Sequence, residues 1–129
     1  MSIFTKIVKG ELASHKILED DKHFAFLEIR PLAAGHTLVI PKKETDYFFD
    51  LSDAETADLM RFAKKVAGAV KKAVPCKKVA VVVYGLAVRH AHIHLIPVNG
   101  TPGELDFRNQ RDARPEELSQ TASKIRAFL

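Results

Sequence analysis

The sequence predicts one α+β domain, because strand-like and helix-like patterns follow one another in the order strands, helix, strands, helix. Apolar and β-branched runs separated by turn residues predict three strands before the long helix and two after it. The predicted strands are His15–Glu19, Phe24–Ile29, Thr37–Pro41, Lys78–Tyr84 and a run that begins near Val88. A chain of 129 residues is of a size that forms one hydrophobic core, so we expect residues 1–129 to be a single domain.

A long helix between the two groups of strands is predicted by its start and stop signals. Ser52 is placed as the N-cap, with Glu55 at the capping-box position and Leu51 as a hydrophobic staple. Apolar residues recur at helical spacing as far as Ala73, and Pro75 cannot continue a helix. We therefore expect one long helix whose apolar stripe belongs to the core.

Two shorter helices are predicted near the ends of the chain. Phe4–Lys9 is expected to form a helical turn. Pro115 is expected to begin a last helix that ends near Leu129, because proline is favourable at the first helical position and acidic residues follow it. The polar stretch Thr101–Arg114 before this helix predicts a loop.

Composition limits the classes of partner. The chain has 20 Lys and Arg residues against 16 Asp and Glu, but no nucleic-acid-binding motif, so we expect no nucleic-acid partner. Cys76 is the only cysteine, which gives no disulfide framework and suits a reducing compartment. Neither a signal-peptide pattern nor an apolar run of membrane-spanning length is present. We therefore expect a cytoplasmic protein without a membrane partner.

Three of the six histidines, His90, His92 and His94, occupy every second position of an apolar run. On a β-strand they would share one face. Burying three rings without a function would require a separate partner for each N–H group, at about 1–3 kcal/mol for each group left unsatisfied. Imidazole rings act as nucleophiles, proton carriers and metal ligands near neutral pH. The pattern therefore predicts a functional site.

A metal site is an alternative interpretation of the same pattern, because His-x-His is a known zinc-ligand spacing. Same-face residues of a strand lie about 6.6 Å apart at Cα, and the outer two of three lie about 13 Å apart. Such a row does not readily converge on one ion at N–Zn distances of about 2.0–2.1 Å. Cys76 is isolated and offers no thiolate cluster. We expect no metal, and a histidine pair with outside ligands is left as the alternative.

The run His90-Ala-His92-Ile-His94-Leu-Ile resembles the signature of the histidine triad (HIT) family of nucleotide hydrolases and transferases. Residues 3–11 are similar to the family's opening segment, and residues 20–43 to its central strands, in the same order and spacing. The resemblance covers residues 3–98 and leaves a C-terminal loop and helix at 99–129. It implies a HIT-like fold: a five-stranded, mainly antiparallel sheet with one long and one C-terminal helix, usually in a homodimer.

The resemblance also implies a role for each histidine. His92 is the nucleophile that forms a covalent nucleotidyl-histidine intermediate, and His94 contacts the α-phosphate oxygens. His90 supports the row from behind, and His36 matches a fourth histidine that packs against the triad. This chemistry requires no metal and no cofactor.

A nucleotide pocket is implied on the strands before the triad. Glu28 stands where the family usually has the Asp that holds the ribose hydroxyls. Phe26, Leu27 and Ile29 would line the base pocket, although at least one of them must belong to the core because neighbouring strand residues face opposite ways. The implied partner is a purine nucleotide or nucleotide conjugate.

The loop before the triad departs from the family pattern. Gly85 is present, but Leu86 replaces the usual Gln, and Ala87 replaces a hydroxyl that assists the leaving group in one branch of the family. Each lost polar contact is worth on the order of 1 kcal/mol. Thr5 and Val8 stand where zinc-binding relatives have cysteines, and Glu44 stands where many relatives have a further histidine.

Two functions from different classes follow from these residues. The first is an enzyme that cleaves the α-phosphate bond of a dinucleoside polyphosphate, an adenylate or a nucleoside phosphoramidate. The second is a catalytically weak nucleotide-binding or sensor module of the same fold. The intact triad favours the enzyme, because a binder needs no nucleophile at His92, whereas Leu86 and Ala87 favour the second function.

Overall fold

The computed structural model describes residues 1–129 and contains three α-helices and five strands. The helices are α1 (Ile3–Val8), α2 (Asp53–Ala73) and α3 (Pro115–Arg126). The strands are β1 (Lys16–Glu19), β2 (His23–Leu27), β3 (Thr37–Pro41), β4 (Lys78–Val82) and β5 (Ile93–Val98). Short 3₁₀ turns lie at Phe48–Asp50 and Phe107–Asn109. The predicted α+β class is confirmed.

All five strands form one antiparallel sheet in the order β1-β2-β3-β5-β4. The register pairs Phe26 with Leu38, and Leu38 with His94, so these three residues lie side by side on neighbouring strands. The sheet implied by the family resemblance is therefore confirmed. Strand β4 is an edge strand with β5 as its single neighbour.

The two faces of the sheet carry separate apolar clusters. A core of 16 buried residues, including Leu27, Val39 and Leu95, packs the sheet against α2 and α3. The opposite face carries a smaller cluster with Phe26 and Leu38, which packs against α1. Because successive strand residues face opposite sides, Leu27 belongs to the main core and Phe26 to the α1 face. His94 pairs with Leu38 in the register of β5 and β3, so this third triad histidine lies on the α1 face as well.

Helix α2 begins and ends where its sequence signals predict. The Ser52 hydroxyl accepts the Glu55 N–H at 3.1 Å, and the Glu55 carboxylate accepts the Ser52 N–H at 2.9 Å, which completes the capping box. The helix ends at Ala73, two residues before Pro75. Helix α2 has 21 residues, but none of the helices combines the length and the apolar character needed to span a bilayer.

The prediction that the histidine triad forms one strand from near Val88 is wrong. Strand β5 begins at Ile93, so His94 is the one triad residue within the sheet. The neighbouring strand β4 ends at Val82, opposite His94, and pairing with β3 also stops at Ile93. Residues 83–92 therefore have no strand partner on either side and follow a looped path.

Other elements are shorter than predicted by a few residues. Strand β4 stops at Val82 rather than Tyr84, and α3 ends at Arg126 rather than near Leu129. Strand β2 ends at Leu27 rather than Ile29, so the segment that follows it belongs to a turn.

The turn between β2 and β3 delivers His36 to the sheet and requires glycine. Gly35 has φ +89°, in the left-handed region that favours glycine. A Cβ at this position would lie 2.8 Å from Val74 Cγ2, so a side chain here would also clash with the end of α2. The geometry of this turn therefore fixes where the His36 ring enters the site.

Candidate active site

A cavity of about 530 Å³ opens on the α1 face of the sheet. Thirteen of its 20 lining residues are hydrophobic, which suits an apolar ligand group. Eight residues predicted from the sequence border it: Phe26, Leu27, Glu28, Ile29, Gly85, Ala87, His92 and His94. Of these, Leu27 packs into the main core, as expected for one of three neighbouring strand residues.

Three other predicted site residues do not line this cavity. His90 is completely buried, and His36 is buried beneath His94. Leu86 is 73% exposed and borders a separate surface groove with Tyr47. The structure thus brings the four histidines together and places Leu86 apart from them.

Hydrogen bonding defines the state of the His92 ring. Its Nδ1 lies 2.7 Å from the carbonyl oxygen of His90. A carbonyl only accepts, so Nδ1 carries the proton and Nε2 keeps a free lone pair. Burial lowers the pKa of His92. The hydrogen bond to the His90 carbonyl opposes part of this shift, and the nearby His90 ring adds to it. The cavity is therefore lined by a neutral imidazole with an unprotonated nitrogen.

A chain of hydrogen bonds sets the opposite tautomer for His94, with the proton on Nε2 rather than on Nδ1. The backbone N–H of Leu32 donates to His36 Nδ1 at 3.0 Å, so the proton of His36 is on Nε2. That N–H donates to His94 Nδ1 at 2.9 Å, which leaves the proton of His94 on Nε2. Burial lowers the pKa of His36 to about 4 and that of His94 to about 3, with smaller effects from neighbouring rings. His94 therefore offers an N–H donor beside the lone pair of the preceding triad ring.

His90 is a fixed support behind these two rings. Its Nε2–H donates to the Pro41 carbonyl at 2.7 Å, and its Nδ1 accepts from the Ser2 hydroxyl at 2.7 Å. Ser2 is also the N-cap of α1. Glu44 accepts the Ser2 backbone N–H and, at 2.8 Å, the Thr5 hydroxyl. Thr5 and Glu44 thus belong to a hydrogen-bonded network that reaches His90 through Ser2.

Glu28, His36 and His94 form the set of side chains closest to a metal-binding arrangement, with ligand atoms within 4.8 Å of one another. A metal ion needs a free lone pair on each imidazole. His36 has none to give, because its Nδ1 accepts from Leu32 and its Nε2 donates to His94. These residues therefore fit a hydrogen-bond chain and do not fit a metal site. Burial raises the pKa of Glu28, which accepts the Arg30 backbone N–H at 3.1 Å.

Sequence reasoning missed three residues that contribute to the site. Phe107 and Gln110 line the cavity, although their segment was predicted to be a plain loop. An aromatic residue within such a polar stretch is the signal that could have identified Phe107. Ser2 contacts His90 across 88 positions, and no local pattern indicates such a contact.

The depressed histidine pKa values predict how stability depends on pH. His36 and His94 titrate at about 4 and about 3 in the folded protein, against about 6.5 in the unfolded chain. Between these values the unfolded state binds more protons, so the free energy of unfolding falls as the pH falls below about 6.5. The slope approaches about 1.4 kcal/mol per pH unit for each ring. Urea denaturation at several pH values measures it, and His36→Asn should show a shallower slope. Equal slopes in the wild-type protein and in His36→Asn would contradict the lowered pKa of His36.

An α+β fold in which His92 and His94 line an apolar cavity, with His36 and His90 buried behind them, is that of the class of histidine triad proteins. The family model of the HIT domain matches residues 9–101, and the chain belongs to the HIT family. It is 37% identical over 102 residues to an uncharacterized HIT-like protein of Borreliella burgdorferi, covering 74% of this chain and 73% of that one. It is 38% identical over 100 residues to the adenosine 5′-monophosphoramidase of Schizosaccharomyces pombe, covering 74% and 72%.

Solved structures are similar over almost the whole chain. A Hit-like protein involved in cell-cycle regulation from Bartonella henselae superposes with a TM-score of 0.86 at 35% identity, covering 99% of this chain and 96% of that one. That similarity includes the C-terminal segment beyond residue 101, where the family model ends.

Proposed function

We propose that this protein is a nucleotide hydrolase or nucleotidyl transferase that cleaves the bond between an α-phosphate and its leaving group. The observation that carries the proposal is the state of His92, whose Nδ1 proton is held by the His90 carbonyl while Nε2 is unprotonated in a ring that lines the cavity. A pure binding site gains nothing from a nitrogen nucleophile held in this way.

The proposed reaction has two steps that pass through a nucleotidyl-histidine. In the first, His92 Nε2 forms a bond to the α-phosphorus as the bond to the leaving group breaks, and the leaving group takes a proton from water. The His90 carbonyl stabilises the positive charge that develops on the ring, through the Nδ1–H. In the second step, water attacks phosphorus and displaces Nε2, its released proton neutralises the hydroxide left by the first step, and a nucleoside monophosphate departs. His94 Nε2–H donates to the phosphate oxygens in both steps.

The remaining cavity residues support the substrate class that we propose. The apolar lining, which includes Phe26 and Ile29, accommodates a purine base, and Glu28 accepts from the ribose hydroxyls. The cavity volume of about 530 Å³ falls in the range of small-ligand sites. Because a relative is named adenosine 5′-monophosphoramidase, we propose adenosine phosphoramidates and adenylates as substrates.

Release of AMP from adenosine 5′-phosphoramidate tests this function. We expect turnover to survive exhaustive treatment with EDTA, because the covalent route uses no cation and the Glu28, His36 and His94 set does not fit a metal. Loss of activity with EDTA that is restored by stoichiometric zinc would contradict the mechanism. Tight binding of AMP without turnover of any conjugate would favour the second candidate, a binding or sensor module.

The second candidate has one observation in its favour, which is the loop before the triad. Ala87 lines the cavity without a hydroxyl, and Leu86 is turned to solvent, so the loop supplies no polar side chain from these positions. We propose that this slows the release of poor leaving groups rather than abolishing turnover.

Ala87→Ser should therefore increase the rate in a substrate-dependent way. A new hydroxyl stabilises the charge that develops on a poor leaving group, such as an alkyl amine, more than on a good one, such as a polyphosphate. We expect up to about tenfold in kcat/KM for alkyl phosphoramidates, equivalent to about 1.4 kcal/mol. The measurement is kcat/KM across a series of phosphoramidates and anhydrides with both proteins. A uniform effect across the series would show that position 87 does not face the leaving group.

We further propose that two copies of the chain pair through strand β4 in a reducing, cytoplasmic setting. Its free edge is flanked by exposed apolar side chains, including Val81, Val83, Tyr84 and Leu86. An unprotected edge of this kind promotes pairing with another strand, and a second copy offers a matching edge. Sedimentation measurements of the oligomeric state of the wild-type protein, of Val81→Lys and of the control Phe128→Lys test this pairing. We expect a dimer that is lost in the first variant only, and a monomeric wild-type protein would contradict the proposal.

A further inference from the structure

We infer that Phe107 is a positioning residue that holds His94 in the state required by the proposed function, with its proton on Nε2. The Phe107 ring packs almost perpendicular to His94, with centroids 4.8 Å apart and an interplanar angle of 83°. It also meets His36 at 6.2 Å and 89°. Phe107 is thus the one aromatic side chain that contacts both members of the hydrogen-bonded histidine pair.

The segment that carries Phe107 is attached to the turn after β2. The Gln110 side-chain amide donates to the Arg30 carbonyl at 2.9 Å, and the Arg30 guanidinium donates to Asp112 at 3.1 Å. The backbone N–H of Ala113 donates to the Ile29 carbonyl at 3.2 Å. These bonds join the C-terminal segment to the residues that follow Glu28, so the wall formed by Phe107 and the proposed ribose contact are held by one set of interactions.

The 3₁₀ turn itself is fixed on both sides of Phe107. Asp106 accepts the Arg108 backbone N–H at 3.0 Å and pairs with the Arg108 guanidinium at 2.7 Å. This pair closes the turn at its solvent side and needs no contribution from the aromatic ring. The Phe107 side chain is therefore available to cover the histidines, where it is half-buried.

The physical effect of Phe107 is to exclude water from the bond between His36 Nε2 and His94 Nδ1. Water at this point would compete for His94 Nδ1 and would allow the other tautomer, in which Nε2 presents a lone pair to the phosphate. The titratable groups near His94 are His92 on its own segment, His36 from the turn before β3 and Glu28 after β2. Arg30 also borders the cavity. The effect of Phe107 is therefore one of burial, since it carries no charge.

The experiment is an NMR titration of the histidine rings in the ligand-free protein, combined with steady-state kinetics. In Phe107→Ala we expect the pKa values of His94 and His36 to rise by about one unit, because removal of the ring lets water reach them. We expect kcat to fall about tenfold, and to fall by more than KM rises, since the loss is in an interaction with the transition state. Phe107→Leu restores apolar cover and should return both quantities toward wild-type values. The control Phe128→Ala removes an exposed phenylalanine beyond α3 and should change neither.

Each outcome decides between distinct conclusions. Unchanged histidine pKa values in Phe107→Ala would overturn the inference, whatever the activity. Shifted pKa values that leave kcat unchanged would also overturn it, because the ring would then be cover without a positioning role. Absence of turnover in the wild-type protein would refute the proposed function separately, since the titration requires no substrate. If Phe107→Ala does not fold, Phe107→Val provides the same comparison, and its pKa shift should lie between those of wild type and alanine.

Discussion

His92→Asn is expected to lower the single-turnover rate by at least about 10³-fold while AMP affinity changes by less than about threefold. The asparagine amide occupies similar space and can still donate to the His90 carbonyl, which accepts from His92 Nδ1 in the wild-type protein. It has no nitrogen lone pair that could attack phosphorus. The substitution therefore removes the nucleophile and leaves the apolar cavity intact. Rapid-quench kinetics and calorimetry on the same preparation measure the two quantities.

His90→Asn is the matched comparison. This residue contacts the Pro41 carbonyl and Ser2 rather than the cavity, so its replacement disturbs orientation and leaves the nucleophile in place. We expect a loss of rate smaller than that of His92→Asn. A His92→Asn protein that kept more than a few per cent of the wild-type single-turnover rate would show that another group attacks phosphorus.

The second large effect is expected at His36, where two amide substitutions distinguish the contribution of its hydrogen bond to Leu32 from that of its hydrogen bond to His94. Asparagine places an amide near the position of Nδ1 and can accept from Leu32, but it does not reach His94. Glutamine places an amide N–H near the position of Nε2 and can still donate to His94 Nδ1. Because the donor to His94 determines where its proton lies, we expect His36→Asn to lower kcat about 10²-fold.

Glutamine at the same position should retain much more activity than asparagine. Steady-state kinetics gives kcat for both variants, and ¹⁵N chemical shifts report the tautomer of His94 directly. Asparagine should move the proton of His94 to Nδ1, and glutamine should leave it on Nε2. Equal activity in the two variants, with the tautomer unchanged in both, would mean that His36 acts through packing alone.

The fold was predictable to the extent that it depends on local signals. The capping box at Ser52 and the stop at Pro75 bound α2 correctly, because capping is decided within a few residues. The triad segment was predicted as strand because its alternation satisfies the two-residue period. Alternation does not ensure strand pairing: β4 ends at Val82, and the chain before Ile93 has no partner within the sheet.

The candidate site was predictable in its residue types and less so in its contacts. The histidine spacing and the position of Glu28 indicated His92, His94 and Glu28 as site candidates, and all three line the cavity, whereas His90 lies behind it. The carbonyl of His90 as the acceptor for His92 depends on the looped path of the triad, which the strand interpretation excluded. The contacts of Ser2 and Phe107 join distant parts of the chain, and nothing in their local sequence specifies a partner.

The central claim is that His92 forms a covalent nucleotidyl intermediate, and intact-mass analysis tests it most directly. The protein is mixed with adenosine 5′-phosphoramidate or an acyl adenylate and quenched in alkali on the millisecond scale, because a phosphorus–nitrogen bond to imidazole is labile in acid. The account predicts a mass increase of one adenylyl group that maps to His92, disappears as AMP is released and is absent in His92→Asn. Turnover with no adduct at any quench time, or an adduct that persists in His92→Asn, would contradict it.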